Sequence, residues 1–342
     1  MKRTLRWLAG ALVAVAVAIA AGAVWLSLPY RGFQGETFVR FDRGTGTPAM
    51  AAALERAGVI RSRYQFWVAR ALQPAAKLQA GEYRFAEPAS ALTVFRRIAR
   101  GDIFFFEIQV PEGSNIFDIA RIVESAGALP AEDFLRAASD PAPIRDLDPQ
   151  ARTLEGYLFP STYRISHSTT AEEFCRMMTA QFRRQWKKLA PGGAEPHSTV
   201  TLASMVEKET GSPAERPLVA SVFTNRLSIG MKLDCDPTTI YAALLDRRYQ
   251  GVIHQSDLNS HNAYNTYQNP GLPPGPIANP GADAIAAALH PAQTKYLYFV
   301  AKPEGGGHQF SATLDQHEKA VRVYRNATNQ PVRHAAAPAR AK

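Results

Sequence analysis

A segment with helical spacing, residues 199–210, ends with two glutamates, Glu207 and Glu209, that stand two positions apart. Carboxyl groups can act as general acids and bases, so this is the chemistry that the pair could perform. At about 100° per residue, two positions along a helix correspond to about 200° around its axis. A single cleft can therefore hold only one of the two carboxyl groups.

A helical wheel distinguishes the two glutamates. Measured from Leu202, Glu209 lies within about 60°, on the apolar stripe, whereas Glu207 lies at about 140°, on the more exposed side. Burial raises the pKa of a carboxyl group, as a general acid near neutral pH requires. We therefore predict that Glu209 is the acid and that Glu207 is an ionised, solvated surface charge. The alternative is that a structural cation, such as Arg226 or Lys232, neutralises Glu209.

Signatures of other chemistries are absent from the sequence. It contains no GxSxG, HExxH or CxxC motif, and the triple glycine at 305–307 lacks the Lys-Ser/Thr of a phosphate-binding loop. The eight histidines are scattered, and a metal site built from His308 and His317 is disfavoured, so we expect no metal and no cofactor. The two cysteines, Cys175 and Cys235, exclude a disulfide scaffold; two buried free thiols are expected, with a single bridge as the alternative.

The N-terminus carries a long apolar run. Residues 7–30 contain no charged side chain and follow three basic residues within the first six positions. This length suffices to cross a hydrocarbon core, which needs about 20 residues. The small-residue triplet at 21–23 allows a cleaved signal peptide instead, but the length of the run and the interfacial positions of Trp25 and Tyr30 favour an anchor. The basic N-terminus is then cytoplasmic, and residues 31–342 lie outside.

The chain is basic, with a formal net charge of +9. Such a charge suggests nucleic acid, anionic lipid or an acidic polymer as a neighbour. Because Lys and Arg are spread along the chain without an aromatic-interleaved basic block, we expect no nucleic-acid partner. Attraction to an anionic cell envelope and a generic solubilising surface both remain open.

Patterning divides the chain into five parts and predicts an α+β protein. Residues 1–30 form the cytoplasmic N-terminus and transmembrane anchor, 35–105 a small α+β module, 106–165 a second strand–helix unit and connection, and 166–326 a mixed α+β domain. Residues 327–342 are rich in Ala, Pro and Arg and are predicted to be a disordered tail.

Turn and capping signals locate several elements. A weak repeat at an offset of 69 predicts a strand, a turn at Gly44 or Gly113 and then a helix in each copy. Ser212 and Glu215 match a capping box that begins the helix after Gly211, because the two side chains can satisfy each other's backbone N–H groups.

Residues 262–280 are dense in Gly, Pro and Asn and therefore predict a long irregular loop. A loop of this length inside a compact domain is usually functional or disordered. Its tyrosines and asparagines suit a sugar ligand, because aromatic faces pack on C–H groups while amides bind hydroxyls; the alternative is a structural loop pinned by prolines.

Six motifs in one order resemble the endolytic murein transglycosylases of the YceG-like, or MltG, type. They are LEGYLFPSTY (154–163), ASMVEKET (203–210), SVFTNRLSIGMKLDCDPTTIY (221–241), AYNTYQNPGLPPGPIANPG (263–281), HPAQTKYLYFV (290–300) and Gly-His-Gln-Phe (307–310). Module 35–105 is similar to the LysM-like subdomain of that family, which extends the resemblance to residues 35–325.

The resemblance implies a transmembrane helix, a LysM-like α+β module and a mixed α+β catalytic domain. It implies a single-pass protein of the bacterial inner membrane with its catalytic domain in the periplasm. The expected activity is cleavage of nascent peptidoglycan glycan strands at the β-1,4 bond after N-acetylmuramic acid, leaving a 1,6-anhydro end. Peptidoglycan synthases, the penicillin-binding proteins, are the expected protein partners.

The resemblance also implies which residues act. The catalytic glutamate of the family maps to Glu209, in agreement with the helical wheel. Five residues are expected to contact glycan, namely Tyr264, Asn265, Thr266, Tyr267 and Asn279. Asn225 and Asp236 are weaker candidates that could hold only the shape of the cleft.

Two other functions fit the same motifs. A peptidoglycan glycoside hydrolase would need a second positioned acid, for which Glu155, Asp234 and Asp236 are the candidates. A non-catalytic anchor would bind glycan and recruit wall synthases.

Overall fold

The structure, a computed structural model, describes residues 2–328. The chain forms two compact units, Met1–Phe106 and Glu107–Lys342. Both units combine helices with short strands that pair into two-stranded sheets, so the α+β prediction is confirmed. Most of the predicted tail lies outside the described residues, since the last helix runs to Thr328.

Helix α1 spans Lys2–Ser27. Its segment Gly10–Ser27 has a mean hydropathy of 2.2 and is almost entirely exposed. This helix is long and apolar enough to cross a membrane, although a signal sequence near an N-terminus has the same properties.

The rest of the first unit follows the order strand, two helices, strand, helix. Strands β1 and β2 pair antiparallel with Val39 opposite Tyr83. Helix α4 begins where Ser90 Oγ accepts the Thr93 N–H at 3.2 Å and ends at Gly101, whose φ of 75° suits glycine. The elements are β1 (Thr37–Phe41), α2 (Thr47–Arg56), α3 (Arg63–Leu72), β2 (Gly81–Phe85) and α4 (Ala91–Arg100).

The second unit is mostly helical. Its two small sheets pair β3 with β4 and β5 with β6. Residues 107–165 lie in this same unit. The elements are β3 (Phe106–Gln109), α5 (Ile116–Ser125), α6 (Ala131–Ala138), β4 (Thr162–Ile165), α7 (Ala171–Leu189), α8 (Pro196–Glu209), α9 (Arg216–Ser228), α10 (Asp236–Leu245), α11 (Gln255–Leu258), α12 (Ala282–Leu289), β5 (Tyr298–Ala301), β6 (His308–Ser311) and α13 (Leu314–Thr328).

The predicted repeat exists as local structure. Gly44 and Gly113 have φ of 88° and 74°, and each stands between a strand and a helix. Glycine adopts this left-handed backbone without steric cost. The two strands have different partners, because β1 pairs with β2 and β3 with β4.

Helix α8 is held by its cap and its apolar stripe. The Glu195 carboxylate accepts the N–H groups of His197 and Ser198 at 2.9 and 2.8 Å, so the helix begins three residues before position 199. Met205 and Val206 are fully buried in the core of the second unit. The predicted stripe is buried, but so are Val200 and Ser204 on the side that the helical wheel left exposed. Helix α8 is therefore enclosed on all sides before its last turn, and it packs against helices α9, α10 and α12.

Candidate active site

Glu209 is the last residue of α8 and is partly buried. The helix stops because Thr210 takes an extended backbone, with φ of −143° and ψ of 131°. Burial raises the pKa of the Glu209 carboxyl, and the charge of Asp236 acts in the same direction. A hydrogen bond from the Cys235 thiol and interactions with His308 and Arg226 lower the pKa without offsetting the burial. The site therefore favours a carboxyl group that keeps its proton to a higher pH than usual.

The two cations proposed to neutralise Glu209 have other partners. Arg226 donates to the Leu233 carbonyl at 2.9 Å and pairs with Asp234 at 3.3 Å. Lys232 donates to the Tyr267 carbonyl at 2.8 Å. Within residues 2–328 no ion pair includes Glu209, so its carboxyl lacks the structural cation of the alternative interpretation.

The prediction that Glu207 is a solvated surface charge is wrong. Its side chain is only 5% exposed and pairs with Arg216 at 2.8 Å. It also accepts the Gly281 N–H at 2.9 Å, and Glu112 and Asp283 lie 3.4 Å from the same guanidinium. The beginnings of α9 and α12 therefore cover a side of α8 that the wheel left open.

Burial raises the pKa of Glu207 as well, so burial alone does not separate the two carboxyl groups. The difference is the cation. Arg216 is 7% exposed and pairs with Glu207 at 2.8 Å, whereas Glu209 has no guanidinium in contact.

Glu215 binds His308 and does not form the predicted capping box. It accepts the His308 backbone N–H at 2.7 Å, and its other oxygen lies 2.8 Å from Nδ1 of the same residue. Thr210 donates to Glu215 at 3.3 Å, which links β6 to the turn after Glu209. A Cβ at Gly307 would lie 2.2 Å from the Glu215 carboxylate, and φ there is 140°, so only glycine allows this approach. Sequence reasoning missed His308 as part of the site, although the Gly-His-Gln-Phe segment was a signal.

Asp236 and Tyr267 form a hydrogen-bonded pair beside Glu209. The Tyr267 hydroxyl donates to Asp236 at 2.6 Å. Asp236 is exposed, and its charge contributes to the raised pKa of Glu209. The structure thus brings these two sequence candidates to the predicted acid.

Asn265 and Thr266 are buried and face inward, which differs from the expected contact with glycan. The Asn265 amide donates to three backbone carbonyls at 2.8 to 3.2 Å and its oxygen accepts from Thr239 and Tyr267. Thr266 Oγ1 accepts the Cys235 N–H at 3.0 Å. Their polar atoms are therefore used to hold the 262–280 loop, which has no helix or strand, as predicted.

Asn279 is likewise fully buried, contrary to the expected role in glycan contact. Its oxygen accepts the N–H groups of Gly156 and Leu158 at 2.9 and 2.8 Å. Its amide donates to the Ser114 carbonyl and to Glu155, both at 2.9 Å. Asn279 therefore joins the end of the loop to two distant segments.

Asn225 is held by hydrogen bonds, whereas Tyr264 packs against another ring. The Asn225 amide donates to the carbonyls of Thr294 and Tyr296 at 3.0 and 2.9 Å. Tyr264 is partly buried, and its ring lies 5.1 Å from that of Tyr241 between centroids.

Of the three candidates for a second acid, only Asp236 is both exposed and free of a cation. Glu155 is 2% exposed, accepts from Ile116 N–H and Asn279, and has a pKa that burial raises to about 8. Asp234 pairs with Arg226.

The sequence model of the YceG-like family matches residues 39–323. The chain belongs to the YceG-like family. It is 31% identical over 315 residues to the endolytic murein transglycosylase of Bacillus subtilis, covering 85% of this chain and 86% of that protein. It is 27% identical over 328 residues to the endolytic murein transglycosylase of Streptococcus pneumoniae, covering 84% of this chain and 58% of that protein.

A solved structure of the YceG-like family has the same architecture. The crystal structure of a yceG-like protein from Listeria monocytogenes has a TM-score of 0.55 and 30% identity. The match covers 84% of this chain and 99% of that one.

Both cysteines of this YceG-like protein are free thiols. Cys175 and Cys235 are free and buried, which confirms the prediction of two buried thiols. In the part of the chain that the structure describes, His, Cys, Asp and Glu form no group of three or more able to hold a metal ion.

The YceG-like protein also has a cavity of about 670 Å³ between the β5–β6 hairpin and α13. Its lining includes Tyr296, Phe310 and Lys319 but not Glu209, Asp236 or Tyr267. This cavity therefore does not coincide with the carboxyl group at the end of α8.

Proposed function

We propose that this YceG-like protein is an endolytic murein transglycosylase, a lyase that cleaves peptidoglycan glycan strands with Glu209 as its acid and base. The family and the names of its relatives support the activity. The observation that carries the residue assignment is a partly buried carboxyl at the end of α8 with a raised pKa and no cation partner.

The proposed reaction needs one carboxyl group. Protonated Glu209 donates its proton to the glycosidic oxygen between N-acetylmuramic acid and N-acetylglucosamine, and the bond from C1 to that oxygen breaks. The C6 hydroxyl of the same muramic acid attacks C1 and gives its proton to the Glu209 carboxylate. The product is a 1,6-anhydro end, no water is consumed, and Glu209 returns to its protonated form.

An internal nucleophile explains why a second catalytic acid is unnecessary. Most glycoside hydrolases use two carboxyl groups, one of which activates water or attacks the sugar. Here proximity within one sugar ring replaces the bound water. The acetamido group of the substrate stabilises the oxocarbenium-like transition state.

Tyr264 and Tyr267 are the proposed glycan contacts, since both are only partly buried within the loop. We assign Asn225, Asn265, Thr266 and Asn279 an indirect role, because their hydrogen bonds hold the loop and the hairpin in place. This interpretation retains the predicted set of residues but moves four of them behind the binding surface.

The proposed location is the bacterial inner membrane. Helix α1 acts as a single-pass anchor, with its N-terminus in the cytoplasm and the catalytic domain in the periplasm. An enzyme held there meets nascent strands beside the synthases that make them, and we propose the penicillin-binding proteins as partners. Residues 35–105 would form the LysM-like module, and cleavage would end strand growth.

The test is product analysis with uncrosslinked glycan strands and full-length protein. Mass spectrometry of the wild-type digest should show 1,6-anhydro ends, Glu209→Gln should give none, and Glu207→Gln should keep the activity of its folded fraction. Products one water heavier would instead show a hydrolase. Strands that are bound but left intact by the wild-type protein would show a non-catalytic anchor.

A further inference from the structure

Helix α3 has an uncovered apolar face. Tyr64, Trp67, Val68 and Leu72 are 61%, 41%, 43% and 64% exposed. They cluster on a single helix of ten residues, which distinguishes them from isolated surface hydrophobics.

These four side chains lie on one side of the helix. At about 100° per residue they fall within an arc of about 140°, which also contains the exposed Ala71. The opposite side is buried, with Phe66 and Ala69 in the core of the first unit. Helix α3 is thus apolar on two faces, and protein covers only one of them.

Helix α3 lies beside the end of the apolar helix α1. Gln65 of α3 donates from Nε2 to the carbonyl of Trp25 at 2.7 Å. Leu26, the next residue of α1, is buried in the same core as Phe66. Helix α3 is therefore fixed at the end of the apolar segment Gly10–Ser27.

The chain between α1 and the rest of the unit is short and pinned. Tyr30 and Ala89 exchange backbone hydrogen bonds at 3.0 and 3.2 Å, and the Arg61 guanidinium lies 5.2 Å from the Tyr30 ring centroid. The folded part of the unit thus begins within three residues of the end of α1. This places α3 at the level where a helix that spans a bilayer leaves it.

We propose that the exposed face of α3 docks on the lipid bilayer that α1 spans. Trp and Tyr favour the membrane interface, where an amphipathic ring contacts both lipid and water. Exposed Arg61 and Lys77 flank the helix and can attract anionic headgroups. This inference goes beyond the enzymatic proposal and rests only on the proposed anchoring by α1.

Spin labelling of the full-length protein in nanodiscs of phosphatidylethanolamine and phosphatidylglycerol tests the docking. Single nitroxide labels replace Val68 on α3, Val17 within α1, and the exposed Arg43 in the turn after β1. The buried Cys175 and Cys235 are checked for background labelling in the unsubstituted chain. Oxygen partitions into lipid and a nickel chelate into water, so the two relaxation agents report the surroundings of each label.

We expect the label at Val68 to be accessible to oxygen and protected from nickel, at a depth of about 5–10 Å, as for an interfacial helix. The label at Arg43 should show the reverse. Adding Tyr64→Asp and Leu72→Asp, both on the exposed face, should return the Val68 label to nickel while leaving the Val17 label in lipid.

Three results would overturn the proposal. Equal nickel access at Val68 and Arg43 would show a solvated helix. Protection of Val68 from both agents would show cover by protein, either a partner or a second copy. Nickel access at Val17 would refute the anchor itself, independently of whether the protein cleaves glycan.

Discussion

Two sides of the last turn of α8 treat equivalent carboxyl groups differently. On one side, Glu207 lies between Arg216 and the Gly281 N–H, with its side chain 5% exposed. On the other side, Glu209 lies beside the Cys235 thiol and the charge of Asp236, with no cation in contact. Burial raises the pKa of both carboxyl groups, so the guanidinium in contact with Glu207 is what distinguishes it from Glu209, the proposed acid.

The largest predicted effect is on catalysis. Glu209→Gln should lower kcat by about 10²–10⁴-fold, the usual contribution of general acid–base catalysis, because an amide cannot donate the proton. Its thermal unfolding should stay close to that of the wild-type protein, since no ion pair is lost. Release of anhydro ends measures the activity, and a variant that keeps more than about a tenth of it would remove Glu209 from the mechanism.

Substitutions that break the Glu207–Arg216 pair should lower the free energy of unfolding. Arg216→Met leaves Glu207 buried without its cation and should cost about 3–5 kcal/mol in the free energy of unfolding, measured with urea. The double variant Glu207→Leu with Arg216→Met should recover most of this loss, because apolar groups tolerate burial. Lys319→Met, which breaks an exposed pair on α13, is the matched control and should change little. A single variant as stable as that control would contradict the comparison.

A third carboxyl sharpens the contrast between charged and neutral burial. Burial raises the pKa of Glu155 from about 4.5 to about 8, so the folded protein holds a proton that the unfolded chain releases. The Glu155 contribution should therefore be lost as pH rises from about 4.5 to 8, by at most about 1.4 kcal/mol per unit. Glu155→Gln cannot ionise, so its unfolding should depend less on pH, whereas exposed Glu172→Gln should keep the wild-type slope. An unchanged slope in Glu155→Gln would show that this carboxyl is already ionised.

The smallest predicted effect is electrostatic. The charge of Asp236 raises the pKa of Glu209, so Asp236→Asn should lower it and let Glu209 lose its proton at a lower pH. The alkaline limb of kcat should then move to lower pH by less than about one unit. Asp283→Asn, beside Arg216 on the Glu207 side, should leave that limb in place. Complete loss of cleavage in Asp236→Asn would instead favour a hydrolase with two acids.

Local sequence patterns predicted what depends on neighbours along the chain. The burial of Met205 and Val206 on α8 and the left-handed turns at Gly44 and Gly113 follow from spacing and residue type. The position of Glu209 on the stripe follows from the same periodicity.

Patterns failed where a distant segment competed. A helical wheel contains no information on the beginnings of α9 and α12, which bury Glu207. Glu215 accepts the backbone N–H of His308, 93 positions later, and does not form the predicted capping box. The inward orientation of Asn265 and Asn279 depends on carbonyl and amide groups that fold against them, and composition alone could not show it.

The loop at 262–280 lacks helix and strand, yet Asn265 and Asn279 bind its backbone to four separate segments of the second unit. Its conformational entropy is lost when the protein folds, so a glycan that lands on Tyr264 or Tyr267 does not have to order the loop. Binding should therefore require little rearrangement of the loop and cost less conformational entropy than binding to a disordered loop.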